Sequence, residues 1–245
     1  MSNTWQIYET RIGDQPASVR IDFTFTNQEF RPDFLTHLLY VWVQLQTPDA
    51  NGLAVDAEGE PLQQIEDALL DLLGAEYGAI PVGVATTAGR REFYYYAESG
   101  EELHEQLAPL LAEFPDYTFQ FGDKLDLQWE HYFGYLFPSP TEYQRVLDAQ
   151  IVAQLREHRD PLTPRPVQHF FYFRTPDARE LVKQQLHAQG FSLDSEPDLE
   201  HGFGLQLTRT DAVDLDSIHA VTAALTLLAL EHEGQYDGWE TDLLA

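Results

Sequence analysis

The chain opens on an alternating pattern. Trp5, Ile7 and Thr10 stand among polar neighbours as far as Arg11, Gly13-Asp14-Gln15-Pro16 turns, and Val19, Ile21, Phe23 and Phe25 resume the alternation from Ser18 to Phe25. A period of two on either side of a turn predicts a β-hairpin with one buried face. Pro32-Asp33 marks another turn, and Leu38 to Leu45 is a nearly continuous apolar run, the pattern of a strand buried on both faces. From Pro61 to Leu73 the period becomes helical, with Leu62, Ile65, Leu69, Leu72 and Leu73 in one stripe. Pro61 suits the first helical position and Gly74 reads as the stop. Strands are predicted at Tyr77 to Thr86 and Glu92 to Ala97 around Ala88-Gly89-Arg90. Ser99 and Glu102 have capping-box spacing for a helix with Leu103, Leu107, Leu110 and Leu111 inward, stopped at Phe114-Pro115. Tyr117 to Phe121 alternates as a further strand.

Gly122 to Gln128 is polar and Trp129 to Phe137 aromatic, which places a seam between two halves there. The strongest helix start follows, Ser139-Pro140-Thr141-Glu142, for a helix carried by Tyr143, Val146, Leu147, Ile151 and Leu155. Val167 to Phe173 is a strand. Thr175-Pro176-Asp177 starts a helix with Ala178, Leu181, Val182 and Leu186 inward, ended by Gly190. Strands at Phe191 to Asp194 and Gly204 to Thr210 flank an acidic loop. A long helix, Asp214 to His232, runs on Leu215, Ile218, Val221, Leu225 and Leu228, and Gly234 separates it from a closing strand, Gln235 to Asp242. The order β-α-β-β-α-β thus occurs twice. The expected fold is α+β, with two ferredoxin-like domains. Residues 1–137 form the first, with an extra N-terminal β-hairpin, and residues 138–245 the second, preceded by a helix.

Composition narrows the function classes. The 245 residues include 43% hydrophobic positions, enough for packed cores. There is no cysteine, which removes disulfides, thiolate nucleophiles and Cys-ligated zinc. The net charge is −27, with 41 acidic against 14 basic residues, so a phosphate backbone is repelled and direct nucleic-acid binding is not expected. The longest nearly apolar run, Val221 to Leu230, falls short of the ~20 residues of a membrane span. Met1 to Trp5 carry no leader-like pattern, so a cytoplasmic protein without membrane contact is expected.

No catalytic motif emerges, and no catalytic, cofactor-binding or metal-binding residue is expected. Glu130-His131 and Glu231-His232-Glu233 set imidazoles beside carboxylates, but a metal needs three or four convergent groups. His169 reads as a packed strand residue. Asp194-Ser195-Glu196-Pro197-Asp198-Leu199-Glu200 spaces acids like the start of a calcium loop, yet it lacks the sixth-position Gly, and Leu205 stands where the bidentate Glu belongs. A solvated acidic loop is the better reading.

The order Pro166-Val167-Gln168-His169, Gly190-Phe191 after a helix, and a long helix leading into Tyr236-Asp237-Gly238-Trp239 resembles the regulator of ribonuclease E activity B family. Asn51-Gly52-Leu53, Ile65-Glu66-Asp67 and Gly89-Arg90-Arg91 resemble a domain family of unknown function that precedes it. The resemblance implies a ferredoxin-like fold and a non-enzymatic acidic protein that binds and inhibits an endoribonuclease. The expected partner is therefore a basic protein. The expected contacts are Asp194, Glu196, Asp198 and Glu200 of the loop with Tyr236, Asp237 and Trp239 of the last strand. Three residues apart, Tyr236 and Trp239 fall on opposite faces of a regular strand, so one should face outward, while Gly238 permits a bulge. A second reading places a small-molecule or enzyme site in a pocket between the halves, near Trp129 to Phe137.

Overall fold

A computed structural model describes residues 4–26 and 30–244. Met1 to Asn3, the start of the segment without a leader-like pattern, lie outside them. Two compact units divide at Pro138 and Ser139.

The first unit begins with strands β1 (Trp5–Ile12) and β2 (Gln15–Asp22), paired in unbroken register from Trp5↔Asp22 to Ile12↔Gln15. Gly13 makes their two-residue turn possible at φ +60. The alternation expected through Phe25 stops at Asp22, whose carboxylate accepts the Thr24 N–H at 2.9 Å and turns Phe23–Phe25 into a single 3-10 turn. There follow β3 (His37–Gln44), α1 (Gly59–Tyr77), β4 (Ile80–Thr87), β5 (Arg90–Ala97), α2 (Leu103–Leu111) and β6 (Phe119–Leu125). The antiparallel sheet runs β1-β2-β4-β5-β3-β6. Leu39, Val41, Val43, Phe93 and Tyr95 of the sheet pack under Leu62, Ile65, Leu69, Leu103 and Leu107 of the helices.

Local expectations fail here for identifiable reasons. Gly74 does not end α1; the stripe continues, and the helix closes three residues after it at Tyr77, with Gly78 left-handed at φ +56. Ser99 builds no capping box, because its hydroxyl accepts the Glu101 N–H at 3.1 Å and Glu102 enters the helix left-handed. Strand β3 is unevenly buried: Tyr40 and Trp42 are only partly covered. Gly122 to Leu125 extend β6 opposite His37 to Tyr40.

The aromatic stretch after β6 packs on the face of the first sheet away from the helices. Trp129 stacks on Tyr96 with ring centroids 3.9 Å apart and donates to the Leu35 carbonyl at 2.8 Å. A π-helical turn, Tyr132–Leu136, presents Tyr132 to the Asp22 carbonyl at 2.7 Å and leaves the Leu136 carbonyl to accept from Tyr8 at 2.6 Å. Trp129, Tyr132 and Leu136 are therefore core of the first unit.

The second unit comprises α3 (Pro140–Glu157), β7 (Arg165–Phe173), α4 (Pro176–Ala188), β8 (Ser192–Ser195), β9 (Asp198–Leu199), β10 (Gly202–Asp211), α5 (Leu215–Glu231) and β11 (Gln235–Glu240). Its sheet order is β11-β7-β10-β8, with β9 pairing β10, again antiparallel. The Ser139 capping box forms with Glu142. The buried face of α3 carries Gln144, Asp148, Val152 and Leu155, so the polar pair occupies positions that a purely apolar stripe misses, and Tyr143, Leu147 and Ile151 are only partly covered. Phe171, Phe173, Leu205 and Leu207 meet Val182, Leu186 and Leu225 between sheet and helices.

Candidate functional site

The last strand contains a bulge. Tyr236 stands opposite Phe171 and Gly238 opposite Phe170, which leaves Asp237 unpaired. Gly238 has φ +104, a conformation glycine adopts without strain. The extra residue restores Trp239 to the side occupied by Tyr236. Both rings are buried, at 7% and 5% exposure, so the expected outward-facing aromatic does not occur.

Both signature aromatics serve buried polar groups. Trp239 donates its indole N–H to Asp148 Oδ1 at 2.9 Å. The same fully buried carboxylate receives Gln144 Nε2 at 2.8 Å, the Thr222 hydroxyl at 2.6 Å and His219 Nδ1 at 3.0 Å. Four donors around one carboxylate replace the water it has lost. The Tyr236 hydroxyl meets Nδ1 of His169 at 2.8 Å, while His169 Nε2 lies 3.8 Å from Asp211, too far for a hydrogen bond. Burial lowers the His169 pKa against the pull of Asp211. Burial raises the Tyr236 phenol, and Asp148 and Asp211 add to the rise. The neighbouring His169 and the Arg209 guanidinium, which donates to both Asp211 oxygens, hold Asp211 below the usual carboxylate range despite burial.

The acidic loop is tied down on one side. Asp198 pairs with Arg179 at 2.9 Å, Glu196 with Lys183 at 2.7 Å, and Asp194 accepts the Thr208 hydroxyl at 2.5 Å. Glu200 has only the exposed His201 imidazole, at 3.8 Å, as an ion-pair neighbour among the described residues. The loop and the last strand nevertheless converge. A concavity of about 510 Å³ is lined by Tyr172, Arg174, Leu199, Glu200, Glu233 and Gln235, with Gly234 at its wall. Gly234 is required there, since a Cβ would lie 2.5 Å from the Phe173 ring and 2.9 Å from the Tyr172 carbonyl. Asp237 and Glu240 are the exposed acids of β11.

The first unit holds a polar cluster that the sequence did not signal. Glu92, fully buried, accepts from Tyr94 at 2.7 Å and Tyr135 at 2.5 Å and pairs with Arg90 at 2.5 Å. His131 lies between the Tyr94 and Tyr135 rings, and burial, helped by Lys124, takes its pKa down to about 4. Alternation marks Glu92 only as a polar residue in a strand; nothing local reveals its partners.

Among the described residues no three of His, Asp and Glu are grouped to hold a metal, and no helix is long and apolar enough to cross a membrane. His232 meets Gln185 at 3.2 Å.

Residues 3–137 match the model of a family described as a family of unknown function, DUF695. The chain belongs to this family. Residues 145–241 match a second model, described as regulator of ribonuclease activity B. That span contains both Asp148 and Trp239, so the buried carboxylate and the strand it anchors lie within one matched region. No curated protein matches the chain. A crystal structure of a proposed glycine cleavage system transcriptional repressor aligns over 84% of this chain and 98% of its own at 11% identity. Its TM-score of 0.26 is too low to inform the fold or function.

Proposed function

We propose that this chain is a non-enzymatic, cytoplasmic regulator that binds a basic region of a ribonuclease E-type endoribonuclease and inhibits cleavage. The match of residues 145–241 to the regulator of ribonuclease activity B model carries this reading. The strand order of each unit supports a ferredoxin-like description, because its first strand lies between the third and fourth of the β-α-β-β-α-β path. The charge of −27 favours encounter with a cationic surface and disfavours RNA itself.

Burial divides the expected contacts by task. Tyr236 and Trp239 hold β11 in place, and Asp194, Glu196 and Asp198 shape the loop. Glu200, Glu233, Asp237 and Glu240 are left to meet basic side chains, with Tyr172 and Leu199 supplying apolar area beside them. The test is affinity capture of the endoribonuclease by the full chain at low and high salt, combined with an RNA-cleavage assay. Salt-sensitive binding that slows cleavage is expected, and Glu200→Lys with Glu233→Lys should weaken it without altering the melting temperature. Undiminished binding by that double variant rejects the surface assignment. No binding by the wild-type chain rejects the function.

A further inference from the structure

The two described sheets have four edges, and three of these are guarded against pairing with another strand. Strand β11 is bulged and carries Asp237 and Glu240, β8 spans four residues with a register break, and β6 carries Asp123 and Lys124. Strand β1 is different. Its eight residues pair with β2 in perfect register, with no bulge, proline, glycine or lysine; its two charges, Glu9 and Arg11, are of opposite sign and cancel, and Ile7 is 67% exposed.

The parity of its backbone groups is fixed at both ends. The Phe23 N–H donates to the Thr4 carbonyl at 3.0 Å, and the two-residue turn closes with Ile12 opposite Gln15. Even-numbered residues therefore bond inward to β2, and Trp5, Ile7, Glu9 and Arg11 direct their N–H and C=O groups away from the sheet. A strand arriving there also meets a hollow of about 420 Å³ lined by Trp5, Ile7 and Leu70, the last 42% exposed, beside the Arg20–Glu66 ion pair.

We infer that β1 is a homodimer interface, in which β1 of a second copy pairs antiparallel with it and joins the two six-stranded sheets. Self-complementarity argues for this occupant. With a two-fold axis at Tyr8, the outward groups of Ile7 bond those of Glu9 in the other copy, and Trp5 stands opposite Arg11, a cation beside an indole. Charge also points here. Two chains of −27 repel, but residues 4–26 hold three acids, Glu9, Asp14 and Asp22, against Arg11 and Arg20, so this edge is nearly neutral. An isologous contact closes on itself, so pairing at this edge ends at two copies.

Sedimentation equilibrium of the full chain over micromolar to submillimolar concentration tests the assignment. A dimer is expected. Glu9→Pro removes an outward N–H while sparing the β2 ladder, and Ile7→Lys places a charge on the exposed face; each should weaken association by about tenfold or more, equal to about 1.4 kcal/mol. Both variants should keep the wild-type melting temperature extrapolated to dilute monomer. A wild type that stays monomeric across the range overturns the proposal, and so does a dimer that survives both substitutions. If one variant fails to fold, the other decides. Ribonuclease binding is not part of the readout, so failure here leaves the proposed function standing.

Discussion

The indole nitrogen of Trp239 lies 2.9 Å from Oδ1 of Asp148, a bond that ties the last strand of the second unit to its first helix across 91 positions of sequence. A hydrogen bond to a charged group contributes about 1.5–3 kcal/mol. Trp239→Phe keeps most of the ring packing but removes the donor, so it should lower stability by about that amount in a denaturant titration. Asp148→Ala should cost more, because four donors lose their acceptor together. Equal stability of Trp239→Phe and wild type would show that the bond contributes nothing.

His131 supplies a pH signature. Its ordinary pKa is about 6.5, and burial holds the folded value at about 4. Between these values the unfolded chain takes up a proton that the folded chain refuses, so stability is unaffected above the upper value and falls as the pH drops through this window. Burial acts on His169 in the same direction. An NMR titration should find the His131 imidazole neutral at pH values where exposed histidines are charged. His131→Phe should flatten the decline in the denaturation midpoint.

Asp160 and Arg165 form a buried pair. The Arg165 hydrogen bonds, joined by the Leu244 and Leu162 N–H groups, hold the Asp160 carboxyl well below its usual range. The stabilisation is complete above the unfolded carboxyl value of about 3.9 and is lost as the pH falls toward the folded one. Asp160→Asn should therefore destabilise the chain at neutral pH by more than the roughly 1 kcal/mol of an exposed pair. It should also reduce the steepness of acid unfolding. Circular dichroism across the acid range checks both.

Two glycines should respond oppositely to alanine. Gly74 lies inside α1 with nothing within 4 Å of an added Cβ, so Gly74→Ala should stabilise by about 0.5–1 kcal/mol. Gly234→Ala pushes a methyl against the Phe173 ring and the Tyr172 carbonyl and should destabilise. Thermal melts of the pair measure the contrast.

Most elements of both units could be read from periodicity and capping because those signals are local, whereas β9 and the π-helical turn Tyr132–Leu136 carry no such signal. Ser139 with Glu142 fixes the start of α3, and Thr175 caps α4 as its sequence suggests. Where a local signal had a competitor, the competitor decided. The apolar stripe of α1 outlasted Gly74, and the Ser99 hydroxyl took the nearer N–H. Sites were harder to see. Asp148 looks like an ordinary polar helix position; its signal is the Gln144, Asp148, Val152, Leu155 spacing combined with Thr222 and His219 on another helix, a relation that only tertiary structure completes. The direction of Tyr236 and Trp239 could not follow from their spacing alone, because one bulged residue reverses it.

That bulge makes Asp237 surplus to the ladder. A strand reading Tyr-Gly-Trp without it would place both rings inward by simple alternation, so the segment carries one more residue than its packing needs. Deleting a residue from a strand ordinarily turns inside out whatever follows; at this position it would leave the inside as it was and shorten only the outside. The fold should therefore tolerate the loss of Asp237, the one residue of the segment whose removal leaves the tryptophan's hold on Asp148 undisturbed.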